Sequence, residues 1–244
     1  MSLKEEALEN SWRMRAYQLA LAEVSSEGRD AVTADAVCRG LRRELDAVEV
    51  AITIMSSEPT DAIIGESTRS DGHLSDLEVT VAEGPASDAV ARRHPCLVPH
   101  LDAAFERWPG YVSLAREREV GSVFAFPLGG SAVPMGAITI YMSRPDALNK
   151  PQLRLSQGAA EVATRVLFSD RPDLLQYNSD ECYRAREGRS EVYQAQGMVG
   201  VELHMALPEA IALMRAHAFA TGMTLTEVAG EIVRGRVSLR SDQA

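Results

Sequence analysis

The hydrophobic period of this chain changes near Val48, and that change limits what the chain can fold into. Upstream, Leu8, Trp12, Ala16 and Leu19 recur at spacings near four with charge between them, which predicts an amphipathic helix over residues 3–24. Residues 30–45 read as a second helix. In VEVAITIM, Val48, Val50, Ile52 and Ile54 then alternate with Glu49, Ala51 and Thr53, the pattern of a strand with one core face. An all-helical fold is excluded, and so is a chain of strands alone.

Further strands are expected over residues 62–66, 77–81, 96–98, 122–128 and 136–142, with turn residues between most of them. Gly129-Gly130 falls in a connection rich in Gly, Ser and Pro that suits a hairpin between the last two. Asn149 and Pro151 then supply start signals for a helix whose apolar face includes Val162, Val166 and Leu167. Helices, a run of strands with short helices inserted, and a closing helix make an antiparallel α+β domain.

Residues 169–185 are polar, contain one proline and hold no sustained period, so they read as a linker. Beyond them lie three helices. The first spans about residues 186–205, with Val192, Ala195, Val199 and Leu203 on one side. The second opens at Pro208-Glu209, carries Ala210, Leu213, Met214 and His217 along one stripe, and stops near Gly222. The third opens on the capping box Thr224-Leu225-Thr226-Glu227, with Leu225, Val228, Ala229, Ile232 and Val233 at helical spacing. A unit of this size has a small core, so dimerisation would supply missing burial, with the helix upstream of Val192 as the place and Gly188 weakening a long coiled coil.

Composition narrows the function. The net charge of −10 argues against coating nucleic acid by bulk electrostatics. The excess is local: residues 1–185 carry 19 basic and 28 acidic side chains, residues 186–244 six and seven, the six all arginine. Specific nucleic-acid contact remains open for the tail. Cys38, Cys96 and Cys182 are far apart and odd in number, and His73, His94, His100, His204 and His217 show no ligand spacing, so no disulfide framework, metal or cofactor is expected. The polar, acidic start and the lack of a long apolar segment lead to the expectation of a cytoplasmic protein without a membrane span. No phosphate loop, nucleophile elbow, dinucleotide fingerprint or acid–base carboxylate pair stands out, so an enzyme is not expected.

Two families are resembled at specific residues. The segment from Asp30 to Leu167, notably AEGPASDAV, CLVPHL, RWPGY, SVFAFPL and GAITIY, resembles a GAF domain of the kind fused to ANTAR modules in actinobacteria. The tail from Val192 to Val233, with QAQGMV, PEAIALMRAHA and LTEVAGEIV, resembles an ANTAR domain, the small helical RNA-binding module of transcription antiterminators. The resemblance implies an N-terminal helix (1–29), a GAF-like sensor (30–168), a linker (169–185) and an all-α three-helix ANTAR domain (186–244). It further implies a homodimer that binds paired stem-loops in a nascent transcript and disfavours the terminator hairpin, with small-molecule or protein input at the GAF-like domain.

The same resemblance places the Ala195-Gln196-Gly197 segment on the RNA-recognising surface, where Gln194 and Gln196 offer donors and acceptors, Arg215 can grip phosphate or a guanine edge, and Arg234 and Arg236 can supply further cations. RNA sequence is read mostly in unpaired loops, by stacking and base-edge hydrogen bonds, which suits glutamine, arginine and a bare helix backbone. Family departures are Gln196, where lysine is common, and Ile211, where an aromatic is frequent. From the residues alone Gly197 reads as a close-packing position, Arg215 equally as a salt-bridge partner of Glu209 or Glu202, and His217 as a packing residue. Trp108, Phe124, Phe126 and Tyr141 read as sheet core, and His94 and His100 as no ligand pair. A protein–protein module that never touches RNA and a helix-turn-helix DNA binder are the competing functions.

Overall fold

The computed structural model describes residues 3–26, 32–55, 62–69, 73–129, 134–168 and 180–240. Helices α1 (Leu3–Ser26) and α2 (Ala34–Leu45) precede strands β1 (Glu49–Ile54) and β2 (Ala62–Thr68). Short helices α3 (Ser75–Val81) and α4 (Pro85–Arg92) lead to β3 (Cys96–Val98), a 3-10 turn over Leu101–Ala104, and α5 (Pro109–Glu117). Strands β4 (Ser122–Leu128) and β5 (Gly136–Met142), then α6 (Lys150–Phe168), complete the domain, and α7 (Asp180–Leu203), α8 (Leu207–Thr221) and α9 (Leu225–Val233) follow.

The five strands form one antiparallel sheet in the order β2-β1-β5-β4-β3. Register follows from side-chain alternation: Val50 faces Ile140 and Ile52 faces Ile138, while Glu49 faces Tyr141 and Ala51 faces Thr139. The first set, with Phe124, Phe126 and Leu128, packs against α1, α2 and α6. At Gly158 a Cβ would meet the Trp12 backbone at 2.8 Å, so only glycine lets α1 lie this close on α6. Residues 27–31 lie outside the described residues, but α1 itself shares the core of the sheet domain.

The strand pattern predicted one core face, whereas β1 is buried on both. Its polar-looking positions Glu49 and Ala51 form the floor of a second core, in which Leu74, Leu77, Trp108, Tyr111, Val123, Ala125 and Tyr141 are buried beneath α3, α4 and α5. Residues 77–81, expected as a strand, are helical instead. Leu77, Val79 and Val81 alternate in sequence, but Leu74 and Leu77 turn together into this second core while Val79 points to the C-terminal helices. The aromatic residues divide accordingly: Trp108 and Tyr141 lie on one side of the sheet, Phe124 and Phe126 on the other.

The remaining expected strands are present, and α6 starts where Asn149 and Pro151 signalled, with Asn149 and Gln152 capping one another at 2.9 and 3.0 Å. Gly130 of the expected hairpin connection lies outside the described residues, as does the linker candidate from 169 to 179. The side chains of residues 181–189, including Gly188 and Cys182, are also outside them, while Cys38 and Cys96 are buried free thiols. Among the described residues no single helix is long and apolar enough to cross a membrane.

Candidate nucleic-acid interface and the buried carboxylates beneath it

The C-terminal helices close around a small core of Val192, Ala195, Val199, Ala210, Met214, Ala218, Leu225, Val228 and Ile232. The chain leaves α7 through His204 in the left-handed region (φ 54°), and the Met205 N–H closes back on the Gly200 carbonyl at 3.0 Å. It then turns by 106° into α8. Gln196, only 5% exposed, donates from Nε2 to the Leu207 carbonyl at 2.7 Å and so ties α7 to the first turn of α8. The capping box predicted for α9 is present: the Glu227 carboxylate accepts from Thr224 N–H and the Thr224 hydroxyl from Glu227 N–H.

These placements sort the predicted site residues. Gln194 is exposed and Gly197 half-exposed, and among the described residues a Cβ added at Gly197 would have no neighbour within 4 Å. The close-packing reading of this glycine is therefore corrected, because no neighbouring side chain requires its absence of a Cβ. Ala195 is wholly buried and belongs to the core, and Gln196 holds the α7–α8 joint with its amide, so neither presents a group to a base in this arrangement. Arg215 is half-buried on α8.

The terminal arginines are not a bare basic patch. Arg236 makes a two-pronged contact with Glu231 at 2.6 Å on each side, and Arg234 reaches Glu231 at 3.4 Å and Glu191 at 3.8 Å. Hydrogen bonds from Arg236 and Arg234 hold the exposed Glu231 carboxyl down to about 2. Arg240 pairs with Glu202 at 2.9 Å.

The open face of α7 instead carries two adjacent rows, Tyr193-Gly197-Val201 and Gln194-Met198, each stepping four residues. Tyr193, Met198 and Val201 are all exposed, Val201 by 77%, and Leu207 is exposed at the start of α8. Between Tyr193 and Val201 the stripe bears no charge, and its second row runs on to Glu202, which pairs with Arg240. It can offer a ring for stacking, an amide for hydrogen bonding and a helix backbone open to close approach at one point.

Sequence reading missed a second polar site, below α3. The residues at the N-termini of α3, α4 and α5, Leu74, Gly84 and Trp108, supply no side-chain cap. Three glutamates from elsewhere do so. Glu49 of β1 accepts from Leu74 and Ser75 N–H at 2.9 and 2.8 Å, and Glu78 of α3 from Ala86 and Ser87 N–H at 3.0 and 2.6 Å. Glu83 accepts from Gly110 and Tyr111 N–H at 2.8 and 3.3 Å. Pro85 and Pro109, each in the first turn of its helix, are the local signals that mark two of these starts.

Around the α3 cap the Glu66 carboxylate takes the Ser75 hydroxyl at 2.7 Å and pairs with His73 Nδ1 at 2.5 Å. Burial and the nearby Glu66 charge push the Glu49 carboxyl up to about 8. Burial works the same way on Glu66, but the hydrogen bonds from His73 and Ser75 outweigh it and hold that carboxyl below its usual value. The Glu66 hydrogen bond raises His73 to about 9, and desolvation, then the Glu66 charge, raise Asp76 to about 6. At neutral pH Glu49 is thus a neutral acid beside a Glu66–imidazolium pair. Among the described residues no group of His, Cys, Asp and Glu has the arrangement of a metal site.

A family model of the GAF domain matches residues 31–167. Among solved structures, the GAF domain of a phosphoenolpyruvate-protein phosphotransferase from Acinetobacter is similar at 12% identity and TM-score 0.45, over 68% of this chain and 93% of that one. A type II free methionine-R-sulfoxide reductase from Thermoplasma acidophilum is similar at 16% identity and TM-score 0.44, over 61% and 94% of the two chains. The chromophore-binding domain of Stigmatella aurantiaca phytochrome P1 is similar at 14% identity and TM-score 0.43, over 64% and 60%. No curated protein matches the chain.

Proposed function

The chain belongs to the GAF-domain family, and on that premise we propose that its sheet domain is the sensor of a transcription antitermination regulator whose output is the α7–α9 unit, an ANTAR-type RNA-binding module. The protein works in the cytoplasm, as a homodimer, on paired stem-loops of a nascent transcript. The observation that carries this reading is the open backbone at Gly197, flanked by the exposed side chains of Tyr193, Gln194 and Met198. A splayed loop base can stack there and meet an amide, which is how unpaired RNA is read.

No covalent step is required. A module that binds the antiterminator conformation better than the terminator shifts their balance by its differential affinity alone. Electrostatics contribute modestly: Arg234, Arg236 and Arg240 are held by Glu231 and Glu202, so phosphate must displace a carboxylate to engage them. The affinity then falls only gently with salt, as expected for about two or three neutralised phosphates.

Titrating the full chain with RNA bearing two tandem stem-loops, across a range of salt, tests this. Preference for particular loop bases, retained in moderate salt, supports the reading. No binding even in low salt sinks it, and preference for duplex DNA with a half-site spacing would transfer the function to helix-turn-helix recognition. The uncharged, apolar character of Tyr193, Met198 and Val201 favours one second reading, a docking face for a protein partner. That reading predicts indifference to RNA of any sequence.

A further inference from the structure

The sheet domain and the C-terminal helices meet along β2, where α7 packs, and at the outer side of α3, where α8 and α9 pack. The Thr80 hydroxyl accepts the buried N–H of Leu225, the first residue of α9, at 2.9 Å while donating to the Asp76 carbonyl at 2.7 Å. Val79 packs into the core of the C-terminal helices. Beside it Arg118, just past α5, donates to the carbonyl of Gly222, the residue that ends α8, at 3.2 Å. The α8–α9 turn is therefore held by Thr80 of α3 on one side of its bend and by Arg118 on the other.

The inner end of the same helix is held by the sheet. Glu49 of β1 receives the N–H groups of Leu74 and Ser75, and Glu66 of β2 receives the Ser75 hydroxyl. Helix α3 has only seven residues. A helix that short has no independent stability and forms only while its cap and its packing last. Loss of the inner anchor cannot be confined to the first turn, because Thr80 lies within the same two turns of backbone.

We infer that α3 is a latch: the sheet domain holds its first turn through Glu49 and Glu66, its last turn holds the α8–α9 turn through Thr80, and whatever loosens the first releases the second. The latch is a device for setting where the C-terminal helices sit, and it requires nothing about what those helices bind. It places the sensitive point of the sheet domain at β1, β2 and the residues entering α3.

Several titratable groups bear on that point. Around Glu49 and Glu66 are His73 before α3, Asp76 and Glu78 on it, Tyr111 of α5, Tyr141 of β5, and Asp35 of α2, which accepts the Glu66 N–H at 2.7 Å. Asp76 also faces Glu227 of α9 and Arg118, so the inner anchor and the docked turn share an electrostatic environment. Ionising Glu49 beside the Glu66 carboxylate places two like charges at one helix end, and raising the pH through about 8 does this without mutation.

Hydrogen exchange of the full chain, read at the Leu225 amide and compared with the amides of β4 and β5, tests the latch. Thr80→Val keeps the shape and removes the acceptor, and it lowers Leu225 protection by about tenfold or more with the sheet amides unchanged. Glu49→Ala does the same from the far end of the helix, while Glu49→Gln, which carries no charge and whose single amide oxygen accepts one of the two N–H groups, restores part of the protection. In the unmutated protein, Leu225 protection relative to the sheet falls as the pH passes about 8, and in Glu49→Gln it does not. Faster exchange at Leu74 and Ser75 in Glu49→Ala with Leu225 unaffected would overturn the inference. Should Glu49→Ala fail to fold, the pH series on the unmutated chain decides alone: Leu225 and the sheet keeping the same ratio across the range also overturns it.

Discussion

On the face of the sheet that meets α1, α2 and α6, the buried strand side chains are Val50, Ile52, Phe124, Phe126, Leu128, Ile138 and Ile140, all hydrocarbon. On the face that meets α3, α4 and α5, Glu49 is fully buried, Glu78 is nearly so, and each closes the N-terminus of a short helix. The first face is held by area removed from water, a diffuse force that tolerates small misfits and depends on volume. The second is held by directed hydrogen bonds to backbone N–H groups that water cannot reach, which tolerate no loss of partner. Of the two, only the second can respond to a proton or to a nearby charge. A sensor domain with one rigid face and one polar face thus has its sensitivity confined to the side where the C-terminal helices dock.

The hydrocarbon side holds large side chains whose loss is costly. Phe126 is 1% exposed, and Phe126→Ala removes a large side chain from a filled core, lowering unfolding free energy by about 3–5 kcal/mol. Denaturant unfolding read by circular dichroism would register this as a large drop in midpoint, with no change in how stability varies with pH. Glu49→Ala leaves two buried N–H groups without a partner, at about 1–3 kcal/mol each, and Glu49→Gln, with one amide oxygen to offer, recovers part of it.

The sharper distinction is in the pH profile. Glu49, raised to about 8, binds its proton more tightly folded than unfolded. Its contribution is complete below the ordinary carboxylate range and is lost as the pH rises through about 8. His73, raised to about 9, behaves likewise, complete below the ordinary imidazole range and lost as pH passes about 9. The unmutated chain therefore loses stability from the ordinary carboxylate range upward until the pH has passed about 9. Glu49→Gln shows a shallower loss, and Phe126→Ala keeps the full slope. Parallel profiles for the unmutated chain and Glu49→Gln would mean that the buried carboxyl is not the titrating group.

The same division governs what could be read from the sequence. The hydrocarbon face announces itself through local period: Val50, Ile52 and Ile54 at spacing two, and Asn149 followed by Pro151 at the start of α6, need no knowledge of the rest of the chain. The capping box at Thr224 and the stripe from Leu225 to Ile232 were legible for the same reason. The polar face was misread because its interactions are long-range. Glu49 looks like the solvent side of a strand until α3 is laid over it, and residues 77–81 look like a strand until a glutamate 25 residues upstream of Leu74 caps them as a helix. Within the candidate site the sequence could not tell the outward Gln194 from the inward Gln196. One position in a helix decides that, and it is set by where α8 crosses.

Gly197 is where the comparison extends to the C-terminal helices and where the smallest effect carries information. In a helix interior glycine is less favourable than alanine by about 1 kcal/mol. Among the described residues nothing lies within 4 Å of a Cβ placed there. Gly197→Ala should therefore raise the stability of α7–α9 by up to about 1 kcal/mol, with no rearrangement of the core around Ala195 and Val199. A chain keeping glycine at such a position forgoes stability, a loss that makes physical sense when a partner's backbone, base or phosphate comes within reach of that surface. The two quantities then move in opposite directions: thermal unfolding of the C-terminal helices shifts upward while affinity for the stem-loop RNA falls. If the alanine variant is both more stable and equally tight, the open backbone at Gly197 is not where the RNA sits, and Tyr193 and Gln194 lose their place in the interface with it.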